Sequence, residues 1–260
     1  MPAGVGFATL RAVIKLWFGA SPWSSGVDSA GNGPAMRSAV IGAACDDLDH
    51  VATFVTQSAT LTHSDPRAEH AARAVAFAAY AAKHGWSIEH YRDQLRQRLI
   101  DDSAAQLLET IDAACDKRDV TTQAFARDVL KSPDKVGGFC NHSVPLALHA
   151  WMRHPTDLRA ALEEVIRCGG DTDTNGAIAG GIIGAGVGRE GMPTDLLGGI
   201  HEWPRTVAWM SELAEQTDSA LRLGAGESAP RLPFLGVAAR NALFLVVVLG
   251  HGLRRLFPPY

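Results

Sequence analysis

Apolar residues recur at three- and four-residue intervals along almost the whole chain. Residues 34–60 (PAMRSAVIGAACDDLDHVATFVTQSAT) and 66–84 (PRAEHAARAVAFAAYAAKH) carry this spacing and are rich in alanine, and Pro66 suits a first helical position. The same period runs through SIEHYRDQLRQRL from Ser87, AAQLLETIDAACDKRD, TTQAFARDVLKS, SVPLALHAWMRH and TDLRAALEEVIRC, the last capped by Thr156 or Asp157. Residues 182–187 and 246–248 are richest in β-branched side chains, yet both stretches are short and lie inside helical patterns. No alternating apolar–polar series marks a strand. The pattern predicts an all-α fold, a bundle of about ten helices or more. Residues 224–233 (GAGESAPRLP) form the one clear loop, too short to separate a second domain from the first, so a single domain over 1–260 is expected.

Both ends of the chain are apolar. Residues 6–19 predict an amphipathic helix, because Arg11 and Lys15 interrupt the apolar run where a secretory signal would not. Near the other end, NALFLVVVLGHGLRRLF has about nine apolar residues in a row, whereas a bilayer crossing takes about 20. That predicts a buried terminal helix stopped by FPPY, and no membrane partner.

Composition narrows this only a little. The 260 residues are 47% hydrophobic and 20% charged, as in ordinary globular chains. With 24 Lys and Arg against 28 Asp and Glu, the net charge of -4 gives no reason to expect nucleic acid or an anionic surface as partner. Cys45, Cys115, Cys140 and Cys168 form no C-x-x-C pair, which points to reduced, buried thiols in a cytoplasmic protein.

Candidate chemistry concentrates in residues 168–188, CGGDTDTNGAIAGGIIGAGVG. Asp171, Asp173 and Thr174 offer hard oxygen ligands, which suit Mg²⁺, Mn²⁺ or Ca²⁺ better than zinc. Gly169 and Gly170 allow a sharp turn after a helix ending near Cys168, and a new helix is expected to begin near Thr174. Carboxylates there suit the positive end of its dipole. Gly176, Gly180, Gly184 and Gly188 recur along one ridge of that helix and predict a neighbour passing very close to it. A D-x-D pair before a helix is also a common solvated cap, so the motif alone leaves both readings open.

Residues 169–188 closely resemble the C-terminal signature of the ADP-ribosylglycohydrolases, the family of the dinitrogenase reductase-activating glycohydrolase. SAGNGPAMRSAVIG, residues 29–42, resembles that family's Gly-Asn-Gly loop followed by Met-Arg. TLTHSDPRAEHAA, residues 60–72, resembles its Thr-His-x-x-Pro segment, and residues 137–174 resemble the helix leading into the acidic motif. The resemblance covers roughly residues 7–203. It implies an orthogonal all-α fold, a centre of two Mg²⁺ or Mn²⁺ ions, and hydrolysis of the bond at C1″ of the distal ribose in ADP-ribosylated proteins or small adducts. Asp171, Asp173 and Thr174 would be metal ligands, with Asp171 and Asp173 serving catalysis. Gly31, Asn32 and Gly33 would lie against the ADP-ribose, with glycine letting backbone N–H groups approach an anion. His63 would lie at the substrate cleft, although Thr62–Pro66 also reads as a capped helix start.

One departure stands out. The family's N-terminal Thr-Asp-Asp or Ser-Asp-Asp cluster has no counterpart here, for the first acidic residue is Asp28. The sequence therefore reads as a member short of its first helices, holding a partial metal site. Asp28 is either a stand-in ligand or a solvated loop carboxylate. Asp46, Asp47 and Asp49 read as a solvated mid-helix face. A catalytically impaired ADP-ribose binder and a purely structural relative are the alternatives to an active hydrolase.

Overall fold

The computed structural model describes residues 6–223 and 229–256. The expected FPPY stop and the first half of the 224–233 loop lie outside the described residues. Among those described there are thirteen α-helices and no β-strand, so the all-α reading holds. Their contacts divide the chain into two compact units, Phe7–Pro193 and a smaller one from Thr194 onward.

The larger unit contains α1 (Phe7–Trp17), α2 (Ala39–Ala44), α3 (Leu48–Thr60), α4 (Pro66–Lys83), α5 (Ile88–Arg98), α6 (Ala105–Asp116), α7 (Thr122–Asp128), α8 (Cys140–Arg153), α9 (Leu158–Arg167) and α10 (Thr172–Val187). Short side chains with oxygen acceptors start most of these. Asp65, Ser87, Thr121 and Asp157 each accept a backbone N–H from the first turn that follows, which satisfies donors the helix itself cannot. Pro66 sits at the head of α4, as expected.

The continuous helix expected over 34–60 is broken. A 3-10 turn, Ala35–Arg37, leads into α2, and Cys45 then turns extended. Asp47 restarts the helix by accepting from the N–H groups of Asp49 and His50. Asp47 is therefore a cap and not part of a mid-helix face, while Asp46 and Asp49 are exposed and Asp49 pairs with Arg98 at 2.5 Å. The two helices expected over SVPLALHAWMRH and TDLRAALEEVIRC are α8 and α9, the second capped by Asp157, although α8 begins at Cys140 instead of Ser143.

α4 is the centre of the larger unit and packs against α2, α3, α8 and α10. Every residue from Ala74 to Ala81 is buried, more than two turns, so the helix is enclosed on all sides. Alanine makes that possible, since larger residues at these positions would hold the neighbours apart. The closest approaches pair glycine with alanine. A Cβ on Gly42 of α2 would fall 1.9 Å from the Ala76 carbonyl oxygen of α4. One on Gly186 of α10 would meet Ala82 of α4 at 3.2 Å, and one on Gly181 of α10 would meet Ala39 of α2 at 2.7 Å. These three helices thus touch pairwise through side chains of one carbon or none.

This corrects the expectation about the glycine ridge of α10. Gly176 and Gly180 face the Leu162 and Leu158 side chains of α9 at 3.4 and 3.5 Å, which is ordinary contact. Gly188 is the C-cap, with φ +63°, and ends the ridge. The close crossing lies on another face of the helix.

The smaller unit contains α11 (Thr194–Gly198), α12 (Val207–Leu223) and α13 (Phe234–Arg254). Sequence predicted a buried terminal helix of limited apolar length. α13 is instead 21 residues long and has no buried residue. The nine-residue apolar run is only a portion of a longer apolar helix interrupted at Arg240 and Asn241.

The close crossings give a paired test. Gly42→Ala is expected to cost about 3 kcal/mol through overpacking against backbone. Gly180→Ala is expected to be neutral or to stabilise by up to about 1 kcal/mol through helix propensity. Urea unfolding midpoints of the two variants check this, and equal shifts would show that the α2–α4 crossing is not the tight one.

Candidate active site

The site is assembled where three chain segments enter α2, α4 and α10. Residues 27–33 run beside residues 62–64, because the Val27 N–H donates to Thr62 and the Ser64 N–H donates back to Val27. The Gly-Asn-Gly loop is stitched on its other side to residues 136–140. The Asn32 N–H donates to the Gly138 carbonyl at 2.9 Å, and the Cys140 N–H to Ala30 at 2.9 Å. Residues 136–140 also reach the acidic turn, since the Asp171 N–H donates to the Val136 carbonyl at 2.9 Å. One short segment therefore holds both motif loops in register.

The two motifs meet side chain to side chain. Asn32 Nδ2 donates to Asp171 Oδ2 at 2.8 Å, across 139 residues of sequence. Asp171 stands at the N-cap of α10 but makes no side-chain cap bond there. Its carboxylate is given to Asn32. Gly170 permits this turn. It has φ +80°, and a Cβ on it would fall 2.3 Å from the Val136 oxygen. Asp173 is exposed in the first turn of α10 and Thr174 is half-buried.

His63 is buried under the Gly-Asn-Gly loop, at 5% exposure. A Cβ on Gly31 would lie 3.2 Å from its Nε2, and a Cβ on Gly33 2.9 Å from its Cε1. A side chain at 33 would thus displace the imidazole, and one at 31 would crowd it. His63 is not the cap of α4, a role that Asp65 fills. Burial, and then the nearby Arg37 guanidinium, push the His63 pKa down to about 4. Arg37 is itself fully employed: it donates to the Gly33 carbonyl at 3.0 Å, to the Ser58 carbonyl at 2.7 Å and to Thr62 Oγ1 at 2.7 Å. It braces the loop from behind.

The structure thus brings Gly31, Asn32, Gly33, His63 and Asp171 together and places Asp173 and Thr174 one step along α10. Within the loop the Asn32 N–H is bonded to Gly138. Asp28 is exposed, and its charge acts on Arg67. Two contributors were not singled out from sequence. Residues 136–139 lie between the helical patterns TTQAFARDVLKS and SVPLALHAWMRH, where the glycine pair Gly137–Gly138 signals a turn. Asn175 follows directly on the acidic motif. It is fully buried and donates to the Val136 carbonyl at 3.3 Å, while its Oδ1 has no protein partner.

The donor chemistry fits a hard cation in kind. Asp171, Asp173 and Thr174 supply oxygen only, with one Asp171 oxygen shared with Asn32. Among the described residues no group of three or more His, Cys, Asp or Glu side chains converges.

Burial of His63 sets a pH dependence. Its folded pKa lies below the unfolded value of about 6.5, so its contribution to stability is complete above that pH and is lost as pH falls toward 4. The His63 ring resonances are expected to titrate near pH 4 by NMR. A midpoint near the unfolded value would show that the imidazole is open to water.

Comparison with known proteins bears on the family and the fold. The family model described as ADP-ribosylglycohydrolase matches residues 1–228. The ADP-ribosylhydrolase ARH3 of Mus musculus is 31% identical over 193 residues, which is 65% of this chain and 52% of that protein. The ARH3 of Homo sapiens is 29% identical over 193 residues, 65% of this chain and 53% of its own. The chain spans about half the length of the curated relatives it matches. A solved ADP-ribosylglycohydrolase-related protein complex superposes with a TM-score of 0.62 at 24% identity, over 83% of this chain and 67% of that one, which shows the shared fold.

Proposed function

This chain belongs to the ADP-ribosylglycohydrolase family, and we propose that it binds the ADP-ribose of modified proteins or small adducts at this site and hydrolyses the bond at C1″ of the distal ribose. The observation that carries the reading is the Asn32–Asp171 hydrogen bond, which joins the two family motifs into one site. Asp171, Asp173 and Thr174 would hold Mg²⁺ or Mn²⁺. When bound, such an ion supplies positive charge that polarises the substrate and acidifies water at neutral pH. The chain's own residues do the positioning. Asn32 fixes the rotamer of Asp171, His63 and Arg37 brace the glycine loop from below, and exposed Asp173 leaves its carboxylate free to face a ligand. The neutral imidazole of His63 adds no charge beneath the loop.

A second reading is favoured by the small number of converging acidic groups. With no group of three or more His, Cys, Asp or Glu side chains converging among the described residues, the site would bind ADP-ribose and turn it over slowly or not at all.

The discriminating experiment measures free ADP-ribose released from mono-ADP-ribosylated protein, with Mg²⁺, with Mn²⁺ and with chelator, beside calorimetric binding of ADP-ribose. Metal-dependent release that falls at least about 100-fold in Asp173→Ala, with binding retained, is the expected outcome. Binding without release under every condition selects the second reading. Neither binding nor release sinks both.

A further inference from the structure

α13 is an apolar helix that the other described residues of its own unit leave uncovered. Its large apolar side chains other than half-buried Val237 are exposed, from 39% at Phe244 to 82% at Phe234. Patches of this extent are rare on surfaces meant for water. The helix is 21 residues long, about 31 Å at 1.5 Å per residue, against a hydrocarbon core of about 30 Å. It is long and apolar enough to cross a membrane, and none of its apolar window is buried, unlike the core helix of a water-borne domain.

Three further features identify what covers it. Leu243 to Leu249 are seven consecutive exposed apolar residues, two full turns, so every face of that half is apolar. A helix meant for a protein groove would show a single stripe. The ends are marked as well. At the N-terminal end Trp203 lies beside Gly236, at 2.8 Å from where a Cβ would sit, and Trp209 Nε1 donates to the Pro230 carbonyl at 3.2 Å. Tryptophan favours the membrane–water boundary. At the other end stand Arg254 and Arg255. Finally, residues 229–256 contain no Asp or Glu but do contain Arg231, Arg240, Arg254 and Arg255. Arg240, the one cation well inside the helix, is neutralised by Glu202 at 2.7 Å and lies 4.9 Å over the Phe244 ring, as an intramembrane charge requires a partner.

We propose that α13 inserts into a lipid bilayer with anionic headgroups and anchors the protein there. The hydrophobic surface supplies the insertion, and the arginines at its ends supply the preference for negative lipid.

The test is flotation of the full chain with vesicles of phosphatidylcholine, alone or mixed with phosphatidylserine. The chain is expected to float with both, more strongly with the mixture, and to resist high salt. Val246→Glu with Leu249→Glu changes only exposed side chains and is expected to lower partitioning by about 100-fold or more. Arg254→Ala with Arg255→Ala is expected to remove the preference for phosphatidylserine, about tenfold, and to leave binding to neutral vesicles. ADP-ribose binding by each variant serves as the check that the larger unit is folded, and keeps this test separate from that of the proposed function. A chain that stays in the aqueous phase overturns the proposal, as does flotation insensitive to the glutamates. So does a detergent-free dimer that the glutamates dissolve, which would show a second copy covering the helix.

Discussion

The larger unit depends on how closely α2, α4 and α10 can approach one another. Each pair meets through glycine against alanine: Gly42 with Ala76, Gly186 with Ala82, and Gly181 with Ala39. With no side chain to keep the backbones apart, the three helices share one axis region, and dispersion contacts replace the bulk of larger residues. The cost is paid in helix propensity, because glycine inside a helix loses up to about 1 kcal/mol relative to alanine. Close packing on every side of α4 offsets it.

The functional segments lie where these helices begin. The Gly-Asn-Gly loop precedes α2, His63 precedes α4, and Asp171 opens α10. Fixing the helices against one another therefore fixes the segments, and residues 136–140 complete the registration by bonding to two of them. The Asn32–Asp171 bond then needs little conformational entropy to form, since both backbones are already held. A positive dipole end at α10 faces the same carboxylates that the family motif supplies. Architecture and site are in this sense one arrangement.

Much of this was legible in the sequence, for identifiable reasons. Helical periodicity located α4, α5, α6, α7 and α9 closely, and side-chain caps set the starts of all of these but α6. The motifs singled out Asn32 and Asp171, which the structure joins by a hydrogen bond. Three features were not readable. Asp47 looked like one more polar position in a long helix, and only its backbone conformation makes it a cap. The ridge of Gly176 and Gly180 was the obvious candidate for close packing, yet which face of a glycine-rich helix meets backbone is a tertiary choice. The exposure of α13 was hidden because an apolar pattern reports what avoids water without saying what replaces it. The net charge of -4 likewise averaged away a C-terminal stretch, residues 229–256, in which every charge is positive.

The imidazole of His63 occupies the space that side chains at 31 and 33 would take. A side chain at 33 would make the ring shift, and one at 31 would crowd its tip. The tolerance of both loop positions is thus tied to one residue that lies beneath them and outside the loop. Replacing the histidine with a small residue would relieve both positions at once, before any ligand is considered.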